Sequence, residues 1–318
     1  METTGPSVSL RLASGRLELR RGRPVLMGVI NASPESFSDG ADHPGLEAQV
    51  AAALAQVEAG AALVDVGGES GVTDREPIPS EEETRRVVPL VARLVGEGVV
   101  VSVDTWKPAV ARAALDVGAA MINDVSGLAD AGVARACAAA GAGLVVMHTR
   151  TAPKRKEFPH YDDVVADVVD LLAERIDEAI GNGIGPDQVV VDPGPDFAKT
   201  PAETVEVLRA LPVLHRFGRP LLLAVSRKDF VGALTRRPPR RRLAGTLAAI
   251  DAGVEAGATI LRVHDVAAVA DYLRVRAALA GDVEVPGDLR LSDDLRWERP
   301  ESRHGRYAGS AGAGPPAR

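Results

Sequence analysis

The chain has a single cysteine among its 318 residues. Cys137 alone cannot build a disulfide framework, and its Ala-rich setting, "ARACAAAG", reads as a buried helical thiol rather than a nucleophile. Aromatics are scarce at 3%, which leaves a composition rich in Ala, Gly and Val. No apolar run reaches the roughly 18 residues that a membrane-spanning helix needs. An excess of positive charge is also missing. A net charge of −7 gives no reason to expect nucleic acid or an anionic membrane as partner, so an anion site must be a local pocket of Arg, Lys and His. The opening "METTGPSVSL" lacks the charged-then-apolar pattern of a secretory signal, and a soluble cytoplasmic protein is the expectation. With 46% hydrophobic and 25% charged residues, the rest is ordinary globular composition.

From residue 25 onward, strand-like and helix-like segments alternate. Eight short Val/Ile-rich runs, at 25–30, 62–66, 99–103, 120–122, 143–147, 188–191, 220–225 and 259–263, read as strands buried on both faces. Helix-like stretches follow each of them, several stopped by Gly. Eight strand–helix units predict a closed (β/α)8 TIM barrel, an α/β fold, with an open doubly wound sheet as the alternative. Ahead of it, "VSLRLASGRLELR" (8–20) alternates apolar and polar residues around Ser14-Gly15 and predicts a β-hairpin. Residues 1–283 therefore read as one barrel domain including the hairpin. Residues 284–318 lose periodicity, end in "GSAGAGPPAR" and are expected to form a disordered tail.

Nearly every strand ends in a polar group, as in "LVDVGGES", "SVDTW", "MINDVSG", "VVMHT", "VVVDPG", "LAVSRKD" and "ILRVHD". One such residue is explained by helix capping. Lys228, Arg262 and His264 are not, because cations belong at helix C-termini and these precede helices. In a barrel all strand C-termini converge on one mouth, where active sites sit and where the last two strands commonly hold phosphate. The residues thus predict an anion site beside Asp104, Asn123 and Asp192, whose acceptors and amide suit a flat heterocycle bearing several N–H donors. The polar loops "GVINASPESFSDG" and "GGESGVTDREPIPS" are candidates to close over a ligand.

Taken in order, "LMGVINASPESFSDG", "DVGGES", "SVDT", "INDVSG", "MH", "DPG", "SRK" and "RVHD" resemble dihydropteroate synthase over about residues 25–265. The resemblance implies a TIM barrel, usually homodimeric, that joins 6-hydroxymethyl-7,8-dihydropterin pyrophosphate to the amine of p-aminobenzoate and releases pyrophosphate. It implies small-molecule partners only. Asp104, Asn123, Asp192 and Lys228 match residues that hold the pterin. Asn31 matches the residue associated with Mg2+, the implied cofactor, and with the pyrophosphate; Arg262 and His264 match the anion-binding pair. Phe197, Ser226, Ser33 and Pro34 fall where the family contacts the acceptor. The implied chemistry is SN1-like, with Asp104, Lys228, Arg262 and His264 as its catalytic set.

The second loop departs from the family. Gly71 and Val72 stand where it usually has Thr and Arg, which removes a hydroxyl and a guanidinium fork that Val cannot replace. Thr73 and Arg75 lie close by as substitutes. Pro195 stands where an aromatic is common, and "TRTAPKRKE" brings Arg150, Lys154, Arg155 and Lys156, either as a solvated loop or as a clamp for a more acidic amine substrate or for the pyrophosphate. The leading expectation is dihydropteroate synthesis. The alternatives are a paralogue with another amine acceptor or little synthase activity, and a non-catalytic pterin-binding protein. A corrinoid methyltransferase of the same superfamily would not need "SRK" and "RVHD".

Overall fold

Short Val- and Ile-rich runs separated by amphipathic stretches fold as the pattern predicts. The computed structural model describes residues 7–32, 45–69, 73 and 76–296. A hairpin comes first: β1 (Ser7–Leu12) pairs antiparallel with β2 (Gly15–Arg20), from Ser7↔Arg20 to Leu12↔Gly15. Gly15, at φ 133°, makes the turn that a side chain would resist. The chain continues as β3 (Val25–Asn31), α1 (Leu46–Glu58), β4 (Ala61–Gly67), α2 (Ser80–Gly96), β5 (Val101–Asp104), α3 (Pro108–Asp116) and β6 (Met121–Asp124). Then come α4 (Gly132–Ala140), β7 (Gly143–Met147), α5 (Val164–Gly181), β8 (Val189–Asp192), α6 (Pro201–Arg209) and β9 (Leu222–Leu223). The last elements are α7 (Asp229–Thr235), α8 (Leu243–Glu255), β10 (Ile260–Val263) and α9 (Val266–Leu279).

The sheet order is β8-β7-β6-β5-β4-β3-β10-β9, and its registered pairs are parallel. Its two ends meet at a bridge between Val191 and Leu221, where the Val191 N–H donates to the Pro220 carbonyl at 3.0 Å. The sheet is therefore a closed barrel, and the open-sheet alternative is excluded. β9 is shorter than the expected 220–225. Pro220 has no N–H for the ladder, and the chain already turns at Arg227, whose φ is 58°. The short helix α7, which the sequence pattern did not suggest, fills the connection that follows.

Side chains two apart on a strand share a face, and this alternation sorts the barrel into layers. Leu26, Val64, Val101, Val103, Ile122, Val146, Val191 and Val263 face outward into the apolar layer under the helices. Met27, Leu63, Met121, Val145, Val190, Leu222 and Ile260 face inward and fill the barrel. Leu10, Leu12 and Leu19 of the hairpin join that inner cluster and plug the N-terminal end. Arg11 fixes the plug by bonding Gln188 at 2.5 Å and Asp187 at 3.2 Å, just ahead of β8.

Cys137 lies buried on α4, and burial pushes its thiol up. Among the described residues no helix is long and apolar enough to cross a membrane. The expected tail is exposed over 284–296, with one 3-10 turn at Asp293–Leu295. Its remainder, 297–318, lies outside the described residues.

Candidate active site

The inward face of the barrel changes character within two residues of each strand. Leu63 gives way to Asp65, Met121 to Asn123, Val190 to Asp192 and Ile260 to Arg262, while Ser102 is followed by Asp104. The polar residues at the strand ends are thus the top tier of the barrel interior, projecting into the C-terminal mouth.

Asp65 is the hub of that tier. It is fully buried. Its Oδ1 accepts from the Ser102 hydroxyl at 2.6 Å, and its Oδ2 accepts from Asn123 Nδ2 at 2.9 Å and from Arg262 Nε at 2.6 Å. The same guanidinium donates through Nη2 to Asp104 at 3.0 Å. Arg262 therefore sits between two carboxylates, so it enters the mouth with its charge compensated. Burial pushes the Asp104 carboxyl up to about 7; Arg262 pulls it down, while Asp65, Glu83 and Asp124 push it further up. Asn123 is buried with its amide Oδ1 unpartnered, an acceptor facing no donor of the protein. Asp124 points the other way, away from the mouth, and accepts from the Ser126 backbone and hydroxyl at 2.7 and 2.6 Å.

The opposite wall comes from the loops after β8 and β9. Asp192 accepts from the Gly194 N–H at 2.7 Å, and burial raises its carboxyl. The Lys228 ammonium stands 4.1 Å above the centre of the Phe197 ring, a cation–π contact. Burial pulls that ammonium down, while Asp196 and Asp192 hold it up. At the end of β10, the Ser226 hydroxyl accepts from the His264 N–H at 3.2 Å and meets its ring Nδ1 at 3.0 Å. Desolvation and the neighbouring Arg262 and Arg227 push the His264 imidazole below its ordinary range, so it is neutral near pH 7. Asn31 ends β3; a Cβ on the neighbouring Gly67 would lie 3.4 Å from Asn31 Oδ1 and 3.7 Å from the Asp104 Cβ. Asn31 and Asp104 therefore flank the same glycine.

The structure thus brings together Asp104, Asn123, Arg262, Asp192, Lys228, Phe197, Ser226, His264 and Asn31. Thr73 is a partly buried bend residue for which no contact is described. Ser33, Pro34, Gly71, Val72 and Arg75 lie outside the described residues. The basic loop after β7 is largely ion-paired. Arg150 forks Asp167, with Nη2 at 2.8 Å; Lys154 reaches Glu69 at 3.3 Å, and Lys156 reaches Asp229 at 2.9 Å. Glu69 is shared with Lys107 at 3.1 Å, and Lys107 also meets the fully buried Glu83 at 2.6 Å. The loop therefore ties the loop after β4 to the first residue of α7.

From sequence, Asp65 stood out only as one of the polar strand ends and Lys199 only as part of the motif after strand six, and neither these two nor Glu69, Glu83 or Lys107 was assigned a role in the site. A buried charge in an apolar run was a visible signal for Asp65. The others are recognisable only from partners distant in sequence.

A closed barrel whose polar inner tier opens at the strand C-termini belongs to the class of (β/α)8 enzymes acting on small molecules in the mouth. Within that class the chain belongs to the pterin binding enzyme family, which it matches over residues 27–264. It is 38% identical over 291 residues to the dihydropteroate synthase of Escherichia coli K12, covering 91% of this chain and 100% of that one. The dihydropteroate synthase of Xanthomonas albilineans, solved with 4-aminobenzoic acid, superimposes with a TM-score of 0.80 at 45% identity, over 88% of this chain and all of that one. The same enzyme solved with 7,8-dihydropteroate gives a TM-score of 0.76 at 44% identity, over 87% and 100% of the two chains.

Proposed function

We propose that this chain is a transferase of the dihydropteroate synthase type in folate biosynthesis. It condenses 6-hydroxymethyl-7,8-dihydropterin pyrophosphate with p-aminobenzoate and releases pyrophosphate. One observation carries the reading: the inward tier of Asp104, Asn123 and Asp192, with Lys228 ahead of α7, lies at the mouth of a barrel that aligns over 88% of this chain with the whole of a synthase of that name. The unpartnered Asn123 Oδ1 and the carboxylates of Asp104 and Asp192 offer acceptors to the N–H edge of a pterin, and Lys228 offers a donor to a ring acceptor.

In the proposed reaction the C–O bond between the pterin methylene and the pyrophosphate breaks, and its electron pair leaves with the pyrophosphate. The methylene cation develops next to Asp104 and its neighbouring carboxylates. The amine nitrogen then forms the C–N bond and loses a proton. Arg262 and His264 hold the leaving group. Because the Ser226 hydroxyl accepts from the His264 backbone, its own proton is available to Nδ1. That leaves the Nε2–H as the imidazole donor for an oxyanion. Phe197 and Ser226 line the acceptor side.

Among the described residues no cluster of His, Cys, Asp and Glu could hold a metal by itself. The Asn31 amide oxygen would hold Mg2+ together with the pyrophosphate, since Mg2+ keeps waters and favours phosphate oxygens. When bound it would neutralise charge on the leaving group. A homodimer in the cytoplasm is part of the same proposal.

The test is pyrophosphate release with Mg2+ and p-aminobenzoate, with dihydropteroate identified by mass. Robust product is expected. Binding of the pterin pyrophosphate without product would overturn the assignment of the acceptor. Lys228→Ala and Asp192→Asn are each expected to weaken pterin binding on the order of 100-fold in calorimetry. Wild-type affinity in both would sink the pocket assignment.

A further inference from the structure

The loop after β8 carries Asp196 and Phe197 to the mouth, and a side chain outside the mouth holds it from behind. Lys199 is 1% exposed. Its Nζ donates to His148 Nδ1 at 2.7 Å and to the carbonyls of Gly194 and Phe197 at 3.0 Å each. An ammonium has three protons, and here it meets three close acceptors, none of them charged. His148 is itself fully buried. Because its Nδ1 accepts from Lys199, its Nε2 carries the ring proton and donates to Asp167 at 2.7 Å. Arg150 grips Asp167 in turn, at 2.8 and 2.9 Å. A relay thus runs from the loop after β7, through α5 and His148, to the carbonyls of the loop after β8. Tyr161 adds a second hold by donating to the Ala198 carbonyl at 2.9 Å.

The backbone explains the need for a clamp. Asp196 and Ala198 have φ of 65° and 53°. Left-handed conformations cost a residue with a Cβ about 1 kcal/mol or more and persist only where neighbours over-determine them. Between these two residues sits Phe197, whose ring supports the Lys228 ammonium.

We infer that Lys199 is a positioning residue of the transfer reaction: by tying the Gly194 and Phe197 carbonyls to His148, it fixes Phe197 beneath Lys228 and sets the acceptor-side wall of the pocket. This rests on the proposed assignment of Lys228 and Phe197 to the two substrates. The clamp is also sensitive to pH. Burial pushes the Lys199 ammonium down to about 7, against Asp192, Asp167 and Glu203 and with Lys228. The groups facing it are His148 after β7, Asp192 on β8, Asp167 on α5, Glu203 on α6 and Lys228 ahead of α7. His148 stays neutral across this range, pushed down to about 4 by burial and by Lys199. As the ammonium loses a proton, one of its three acceptors loses its donor.

The experiment compares wild type with Lys199→Met, separating kcat from KM for p-aminobenzoate between about pH 6 and 9 and following pterin binding by calorimetry. At the acid end the variant is expected to lose about tenfold in kcat/KM for the acceptor while keeping pterin affinity within about threefold. Wild-type kcat/KM for the acceptor should fall as pH rises through neutrality, and the variant should lack that fall. Should the variant fail to fold, Tyr161→Phe, which loosens the same loop without disturbing a buried charge, is expected to lower acceptor kcat/KM in the same direction. A wild type that turns over, with Lys199→Met matching its acceptor kinetics or keeping its pH transition, overturns the inference and leaves the proposed function standing. A wild type without turnover removes the reaction on which both rest.

Discussion

Replacing Asp65 tests whether the mouth is held together by one carboxylate. Three donors converge on it: Ser102 Oγ at 2.6 Å, Asn123 Nδ2 at 2.9 Å and Arg262 Nε at 2.6 Å. Asp65→Ala strands all three inside the barrel and leaves Arg262 with Asp104 as its remaining ionic partner. Removing one partner of a buried pair costs about 3–5 kcal/mol, and each stranded polar group about 1–3 kcal/mol. These costs overlap because the groups share one network, so a loss of about 4 kcal/mol is expected, out of the roughly 5–15 kcal/mol typical of a folded chain. Asp65→Asn should cost about half as much. Its amide oxygen can still accept from Asn123 and Arg262 while its NH2 turns to Ser102, whose hydroxyl can reverse its role. Ser102→Ala removes a single bond and should cost about 1 kcal/mol. Urea unfolding with linear extrapolation provides the three values. An Asp65→Ala protein within about 1 kcal/mol of wild type would refute the reasoning, since it would mean that Arg262 and Asn123 find other partners without loss.

Two further outcomes follow from the same geometry. The folded Asp104 carboxyl, at about 7, lies above its ordinary 3.8, so the folded state holds an extra proton between those values and the contribution of Asp104 to stability falls as pH rises through that window. Asp104→Asn should therefore shrink the decline of the urea midpoint between about pH 4 and 7, with Asp124, raised to about 6, keeping part of it; an unchanged slope would refute the assignment. Gly194 has φ 64°, and a Cβ there would collide with the His148 carbonyl. Gly194→Ala should lower stability by roughly 2–4 kcal/mol and weaken pterin binding through Asp192, whereas an unchanged Tm would argue against the tight approach.

Most of the barrel was legible because its rules are local. Strands of four to seven residues bounded by Gly, and helices with an apolar face, announce themselves by period. The polar ends of the strands were legible for the same reason, and Asp104, Asn123, Asp192, Lys228 and Arg262 do meet. What the sequence did not display was pairing at a distance. Asp65 and Arg262 are 197 residues apart. The bond between them changes Arg262 from a bare cation into a compensated one. The helix α7 was missed because its N-terminus is capped from another loop: the Phe230 N–H donates to Asp196 at 3.1 Å. The basic loop after β7 could not be divided into solvated and engaged charges until Glu69, Asp167 and Asp229 were seen to pair with it.

The closure of the barrel has a consequence for how the site works. Between β8 and β9 the wall is joined at a single bridge, with Pro220 contributing only its carbonyl. Asp192 and Lys228 stand at the mouth on either side of that seam. Every other joint of the cylinder has two or more registered pairs, so this seam is the one held by the fewest backbone pairings, between the two groups assigned to the heterocycle. A flat molecule bonded to both would act as the missing rung. On this view the substrate completes the wall of the vessel that receives it.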